Sequence, residues 1–370
     1  MISGLVVAFL ALTVIVPAPR VALIDVKATK QTKALYANLK KISKTNILFG
    51  HQHATEYGHG WSSEPGRSDV KSVVGSHPAV IGVDFAGICS GTRERIESEK
   101  VRLRKVIVDT YGRGGIITIS NHLSDPVHGG GFNAQKNGPT KTVTELLPGG
   151  THHAALTTIL ADIADLAKSC KGKDGNLVPM IFRPWHEFDG DWFWWGHAHC
   201  TTEEFVKLYQ MTVSEIRDVN GAHNIIYAFS PDCKFNSEAD FLERYPGDEW
   251  IDMVGFDDYA DFGRDHYDLV AGLKKLTIVS DFAKKRGKVA AFTETGLESI
   301  PNPTWWTETL LKTLKSPGLE LSYVLVWRND QRSPTHFYAP FPGQVSAADF
   351  QKFYADPFTL FEKDLKSIYR

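Results

Sequence analysis

The sequence predicts an α/β protein built as a single (β/α)8 TIM barrel, and three observations carry that expectation. Eight short apolar runs recur along the chain, helical patterns separate them, and the runs are apolar at successive rather than alternate positions. Strand, helix, strand order implies parallel pairing, and continuous apolarity is what a strand covered on both faces requires. With 370 residues, 42% of them hydrophobic, the chain is long enough to hold such a barrel in one domain.

In chain order, Leu5 to Val16 form an apolar run too short to span a bilayer and broken by Pro17, Ala18 and Pro19. Residues 1–19 are therefore expected to be a signal peptide and the protein to be secreted, the alternative being a buried N-terminal strand; residues 20–370 are expected to form the barrel. An amphipathic helix follows through Leu35, Leu39 and Ile42. The first strand is read at Asn46 to Gly50, where glycine stops the run. The others are read at Ala79 to Phe85, Gly115 to Ser120, Val178 to Arg183, Asn224 to Phe229, Trp250 to Phe256, Lys288 to Thr293 and Ser322 to Trp327. Helical patterns include Leu156 to Ala167, Thr202 to Ile216, Leu269 to Lys285 and Thr307 to Lys315. Residues 121–150, rich in Gly and Asn, read as one long loop above the barrel.

Composition removes several classes of function. Lys plus Arg number 41 against 43 Asp plus Glu, so there is no basic excess to neutralise phosphates, and neither nucleic acid nor an anionic membrane is expected as a partner. A monomer is expected. No Gly-rich phosphate loop follows a strand, since Gly129-Gly130-Gly131 lies in the long loop and Gly112-Arg113-Gly114-Gly115 precedes one; no cofactor is expected. Cys89, Cys170, Cys200 and Cys233 lack zinc-site spacing and are compatible with one or two disulfides or with free thiols, the pairing being left open.

Chemistry in such a barrel gathers where the strands end. Those positions carry His51-Gln52-His53, Asp84, Asn121-His122, Arg183-Pro184-Trp185-His186-Glu187, Ser230-Pro231-Asp232, Asp257-Asp258-Tyr259, Glu294-Thr295-Gly296 and Trp327-Arg328-Asn329-Asp330. Ser230 and Asp232 also read as helix caps. Glu187 and Glu294 sit in apolar and aromatic sequence, where an unpaired carboxylate is expensive. Pairing with Arg183 or Arg328 would offset that cost. Two carboxyl groups across a barrel mouth are also what glycosidic bond cleavage needs, one to protonate the leaving oxygen and one on the opposite face of the sugar.

Around Glu187 the chain reads Trp185-His186-Glu187-Phe188-Asp189-Gly190-Asp191-Trp192-Phe193-Trp194-Trp195-Gly196. Aromatic faces stack on sugar rings while neighbouring polar groups bond the hydroxyls, so this interleaving suits a sugar cleft. Trp192 is expected to face ligand and Trp194 and Trp195 to be structural.

These motifs, together with Phe49-Gly50-His51-Gln52, Gly255-Phe256-Asp257-Asp258-Tyr259, Thr293-Glu294-Thr295-Gly296 and Trp327-Arg328, resemble glycoside hydrolase family 26, whose members are mostly endo-β-1,4-mannanases on (β/α)8 barrels. The resemblance covers most of the chain. It implies a retaining mechanism with Glu187 as acid/base and Glu294 as nucleophile, and a site lined by His122, His186, Trp192, Asp257, Tyr259, Trp327 and Arg328, with no metal. Within it, Tyr259 would steady the nucleophile, His186 would orient the acid and Arg328 would bond a distal sugar. The implied substrate is a β-mannan, glucomannan or galactomannan cleaved internally. An exo-acting mannobiohydrolase, a β-1,3-xylanase or a mixed-linkage glucanase are the alternatives within the family.

Two readings of other classes compete with this one. His51 and His53 at the end of a first barrel strand are compatible with a metal-dependent barrel hydrolase, but Ser230-Pro231-Asp232 and Asp257-Asp258-Tyr259 stand where such enzymes need further histidines. A non-catalytic sugar-binding barrel would have no reason to keep both glutamates among so many aromatics.

Overall fold

The computed structural model describes residues 23–135 and 140–370; the expected signal segment lies outside them. Eight parallel strands form the barrel: β1 (Ile47–Gln52), β2 (Val80–Asp84), β3 (Ile116–Ser120), β4 (Met180–Arg183), β5 (Ile225–Phe229), β6 (Met253–Asp258), β7 (Val289–Thr295) and β8 (Tyr323–Val326). Each pairs with the next, and β8 pairs with β1 through Leu48↔Tyr323 to His51↔Val326, which closes the ring. A two-residue strand, Thr359–Leu360, adds to β1 from outside. The chain is a (β/α)8 barrel.

Side chains alternate in and out along each strand, and both sides are apolar. Leu48, Ile181, Met253 and Leu325 belong to one buried cluster with Leu35, Tyr36 and Leu39 of the helix Lys30–Ile42. Phe49 packs with Phe350 at 5.2 Å and Trp306 at 5.9 Å in the cluster outside the strands. Thr29 caps the helix Lys30–Ile42 by accepting from the Thr32 amide. The helix Arg93–Arg113 begins at a Thr92 cap and stops where Gly114 turns left-handed at φ 91°.

The strands differ from the sequence expectation at their upper ends. Gln52, Asp258 and Thr295 end their strands two residues beyond the expected Gly50, Phe256 and Thr293, while Asp84 and Arg183 end theirs within the expected runs. The closed ladder offers their backbone groups partners, so pairing continues past the end of the apolar run. A polar row results, with Asp84 beside Ser120 and Ser120 beside Arg183. Between β6 and β7 the register shifts after Phe256↔Phe292 and resumes at Asp257↔Glu294, leaving Thr293 as the extra residue. Such a bulge re-aims the side chains beyond it.

The long loop after β3 docks on the loop after β4. Asn133 bridges Phe193, and the Ala134 amide donates to the Trp192 carbonyl at 2.7 Å. All four cysteines are free thiols, Cys89 and Cys170 buried and Cys200 and Cys233 half-buried.

Candidate active site

Glu294 is the penultimate residue of β7 and is 3% exposed. Its Oε2 accepts a hydrogen bond from Tyr259 Oη at 2.9 Å, and its Oε1 accepts from Arg183 Nη2. The other arm of that guanidinium, Nη1, donates to both oxygens of Asp257, at 3.0 and 3.1 Å, and to Ser230 Oγ at 2.8 Å. Thr293, the bulged residue, donates to Asp257 Oδ1 at 2.7 Å. Sequence reading gave Arg183 only as a possible partner of a glutamate; it is the hub that joins β4, β5, β6 and β7 under the site. Ser230 is part of this network and caps no helix; the short helix after β5 is capped by Ser237.

Glu187 lies on the turn after β4, half-buried, with its amide bonded to the Ser230 carbonyl at 2.9 Å. Both Trp185 (φ 56°) and Glu187 (φ 52°) adopt left-handed backbone, which costs about 1–3 kcal/mol for such residues and concentrates at functional turns. The neighbours make that conformation affordable: Trp185 is fully buried with Nε1 bonded to Thr212 Oγ1 at 3.0 Å. One oxygen each from Glu187, Asp257 and Glu294 lie within 4.8 Å of one another.

Burial raises Glu187 well above the ordinary carboxylate range, and Asp257, Glu294 and Asp232 add to the rise. Burial and Asp257 also raise Glu294, to about 7, while Arg183 and His122 pull it back. A guanidinium in direct contact favours the carboxylate form of Glu294, whereas Glu187 has only a neutral indole as donor. Of the two, Glu187 is the one whose surroundings favour the protonated form.

Trp192 is 37% exposed, and its Nε1 donates to Glu187 Oε2 at 2.8 Å. Gly190 is required beneath it, because a Cβ there would collide with the benzo ring. Trp194 and Trp195 are buried, their indoles bonded to the Leu123 and His186 carbonyls at 2.8 and 2.9 Å. His122 Nδ1 lies 2.6 Å from Asp84 Oδ2, and its Nε2 lies 3.3 Å from His186 Nε2. Trp327, half-buried, sits 5.8 Å from the His122 ring, and Arg328 Nη1 pairs with Asp330 at 2.6 Å.

Two expected positions differ. Asp257 is completely buried and held by Arg183, Ser230 and Thr293, so it lies beneath the carboxylate pair and does not line a cleft. His186 makes no hydrogen bond to Glu187; it is buried against Phe193, and Trp192 bonds Glu187 instead. Asp84, absent from the expected lining, is fixed by Ser120 at 2.7 Å and sets the orientation of His122. A carboxylate ending an apolar strand was the signal available for it.

The metal reading meets different partners as well. His51 is buried and kept neutral, its pKa lowered to about 4 by burial, while His53 Nδ1 turns to Glu56 Oε2 at 2.6 Å. Among the described residues the one group of three His, Cys, Asp or Glu side chains with ligand-like spacing is Glu187, Asp257 and Glu294, which excludes both histidines. There the cation is Arg183, already bonded to two of the three.

Residues 24–308 match the model of Glycosyl hydrolase family 26. The chain belongs to that family. A family 26 beta-mannanase from Bacteroides ovatus has a solved structure 42% identical to this chain, covering 92% of it and 98% of that chain with a TM-score of 0.86. A mannan endo-1,4-beta-mannosidase of Bifidobacterium adolescentis is 35% identical over 89% of this chain, which spans 34% of that protein's length. One of Bacillus subtilis is 27% identical over 89% of both chains. The family 26 membership accounts for the barrel.

Proposed function

We propose that the protein is a retaining endo-β-1,4-mannanase that works by double displacement. The observation that carries this reading is the spacing of Glu187 and Glu294, whose nearest oxygens lie within 4.8 Å. Retaining enzymes hold their carboxyl groups about 5–5.5 Å apart, whereas inverting ones need about 6.5–9.5 Å to admit a water. Glu294, ionised by Arg183 and steadied by Tyr259, attacks the anomeric carbon. Glu187, protonated, gives its proton to the leaving oxygen. It then takes a proton from the water that releases the glycosyl-enzyme, so each carboxyl group returns to its starting state.

Trp192 offers an apolar face beside the acid, and His122 presents a fixed imidazole to a sugar hydroxyl. The mannan preference rests on the names of the relatives. Hydrolysis rates on galactomannan, glucomannan, xylan and mixed-linkage glucan test it: mannans should turn over fastest, with internal cleavage seen as a rapid viscosity drop. Faster turnover of xylan or mixed-linkage glucan would refute the assignment.

We further propose secretion, supported by the apolar run Leu5 to Val16 and its Pro17-Ala18-Pro19 exit. A mature protein that still begins at Met1 would contradict it.

A further inference from the structure

Tyr338 lies in the segment beyond the β8 loop, buried, and outside the groups that carry the chemistry. Its ring meets the Tyr259 ring edge to face, with centroids 5.7 Å apart and planes at 72°. Tyr259 in turn donates to Glu294 Oε2 at 2.9 Å. The Tyr338 ring also closes on Gly296, just beyond Glu294. There φ is 141°, and a Cβ would stand 2.6 Å from Tyr338 Cδ1. Glycine is needed on both counts, for conformation and for space. Tyr338 is therefore wedged between the tyrosine that bonds the carboxylate and the backbone that leads away from it.

A buried amide fixes Tyr338 in that place. Asn329 Oδ1 accepts the Tyr338 and Ala339 amides, both at 2.9 Å, and its Nδ2 donates to the Ala339 carbonyl at 2.9 Å and to Asp69 Oδ2 at 2.8 Å. An asparagine side chain has two donors and two acceptor sites, and all four are in use. Asp69, also buried, takes the Trp61 indole at 2.6 Å and the His59 amide at 2.7 Å. The segment that carries Tyr338 is thus tied to the end of β8 and to the segment after β1. It forms a wall of the scaffold against which Tyr259, the first residue beyond β6, rests.

The wall matters because a phenol turns freely about its side-chain bonds unless its ring is packed. Arg264 lies 5.8 Å from the Tyr259 ring as well, but its guanidinium is half exposed and holds the ring less firmly than a buried neighbour does. The contact with Tyr338 is between rings, so the role belongs to the Tyr338 ring and not to its hydroxyl.

We propose that Tyr338 is a positioning residue for the nucleophile: its ring, anchored by Asn329, keeps the Tyr259 hydroxyl on Glu294. The proposal rests on the reading of Glu294 as nucleophile and Tyr259 as its donor. Arg183 from β4, Asp257 from β6 and His122 from the loop after β3 also act on Glu294, and Glu187 and Asp257 face Tyr259. All of these groups remain when Tyr338 alone is changed.

The test is the pH dependence of kcat/KM on mannan for Tyr338→Phe, Tyr338→Ala and Tyr338→Leu, alone and combined with Tyr259→Phe, with thermal melts to report folding. Tyr338→Phe keeps the ring and should match the wild type. Tyr338→Ala loosens the donor to Glu294, so the acidic limb should move to higher pH and kcat/KM should fall about tenfold. Tyr338→Leu fills the space without a flat ring, serves if the alanine variant does not fold, and should move the limb the same way. With Tyr259→Phe there is no hydroxyl left to hold, so adding Tyr338→Ala or Tyr338→Leu should leave the limb where Tyr259→Phe put it. An unmoved limb in a folded alanine or leucine variant would overturn the proposal, and so would an equal shift in both backgrounds, the mark of a general loss of packing. If Tyr259→Phe itself left the limb in place, or if the wild type cleaved no mannan, the underlying reading would fail and the proposal with it.

Discussion

The Trp192 indole donates a hydrogen bond to Glu187 at 2.8 Å, so the exposed aromatic ring at the rim and the carboxyl group inside it are one unit. A ligand stacked on Trp192 fixes the group that holds Glu187. Trp192→Phe keeps an aromatic ring and removes the donor. The indole favours the charged form of Glu187, so its loss raises the Glu187 pKa further. The alkaline limb of kcat/KM should move to higher pH, and kcat should fall about tenfold to a hundredfold, the worth of one hydrogen bond to a charged group. A pH profile with an unmoved alkaline limb would show that the indole does not act on the acid.

Tyr259→Phe probes the other carboxylate. Removing a donor from Glu294 raises its pKa, so it ionises at higher pH and the acidic limb of the profile moves upward. A loss of about tenfold to a hundredfold in kcat/KM should accompany the shift. If only the alkaline limb moved, the roles of the two glutamates would have to be exchanged.

Asp84→Asn tests the support of His122. Asp84 holds the imidazole above its ordinary range, and His122 in turn depresses Asp84. A depressed carboxylate stabilises the fold above its unfolded pKa of about 3.9, and a raised histidine stabilises it below about 6.5. Both contributions are present between those values. The loss in urea unfolding, about 1–3 kcal/mol, should therefore be largest there and shrink as the pH rises through the folded pKa of His122. A loss independent of pH would mean that the pair is not charged.

The sequence made the barrel legible because its strands are apolar on both faces and stop at polar residues. Glu187 and Glu294 stood out for the cost of a carboxylate in aromatic surroundings. What it hid depends on register between distant strands. Arg183 and Glu294 are 111 residues apart, and nothing local to either reveals that one guanidinium serves Glu294, Asp257 and Ser230 together. The bulge at Thr293 has no signature in a run of β-forming residues, yet it places Asp257 opposite Glu294. The family resemblance implies that His186, adjacent to Glu187 in sequence, orients it. The left-handed backbone at Trp185 and Glu187 breaks that adjacency, and Trp192, five residues on, takes the position.

Glutamate deletion should separate the two roles. Glu294→Ala should be nearly inactive on every substrate. Glu187→Ala should lose polysaccharide hydrolysis, react with aryl mannosides bearing an activated phenol, and accumulate the glycosyl-enzyme. Azide should then release a β-mannosyl azide of retained configuration. Azide rescue of Glu294→Ala with retention would contradict the assignment.

The most direct test of the central claim is proton NMR of the first products formed from a β-linked manno-oligosaccharide. Nucleophilic attack by Glu294 and water attack on the glycosyl-enzyme together invert twice, so the β anomer of the new reducing end should appear first and the α anomer only later, by mutarotation. An α anomer at the outset would rule out a covalent intermediate on Glu294 and contradict the account.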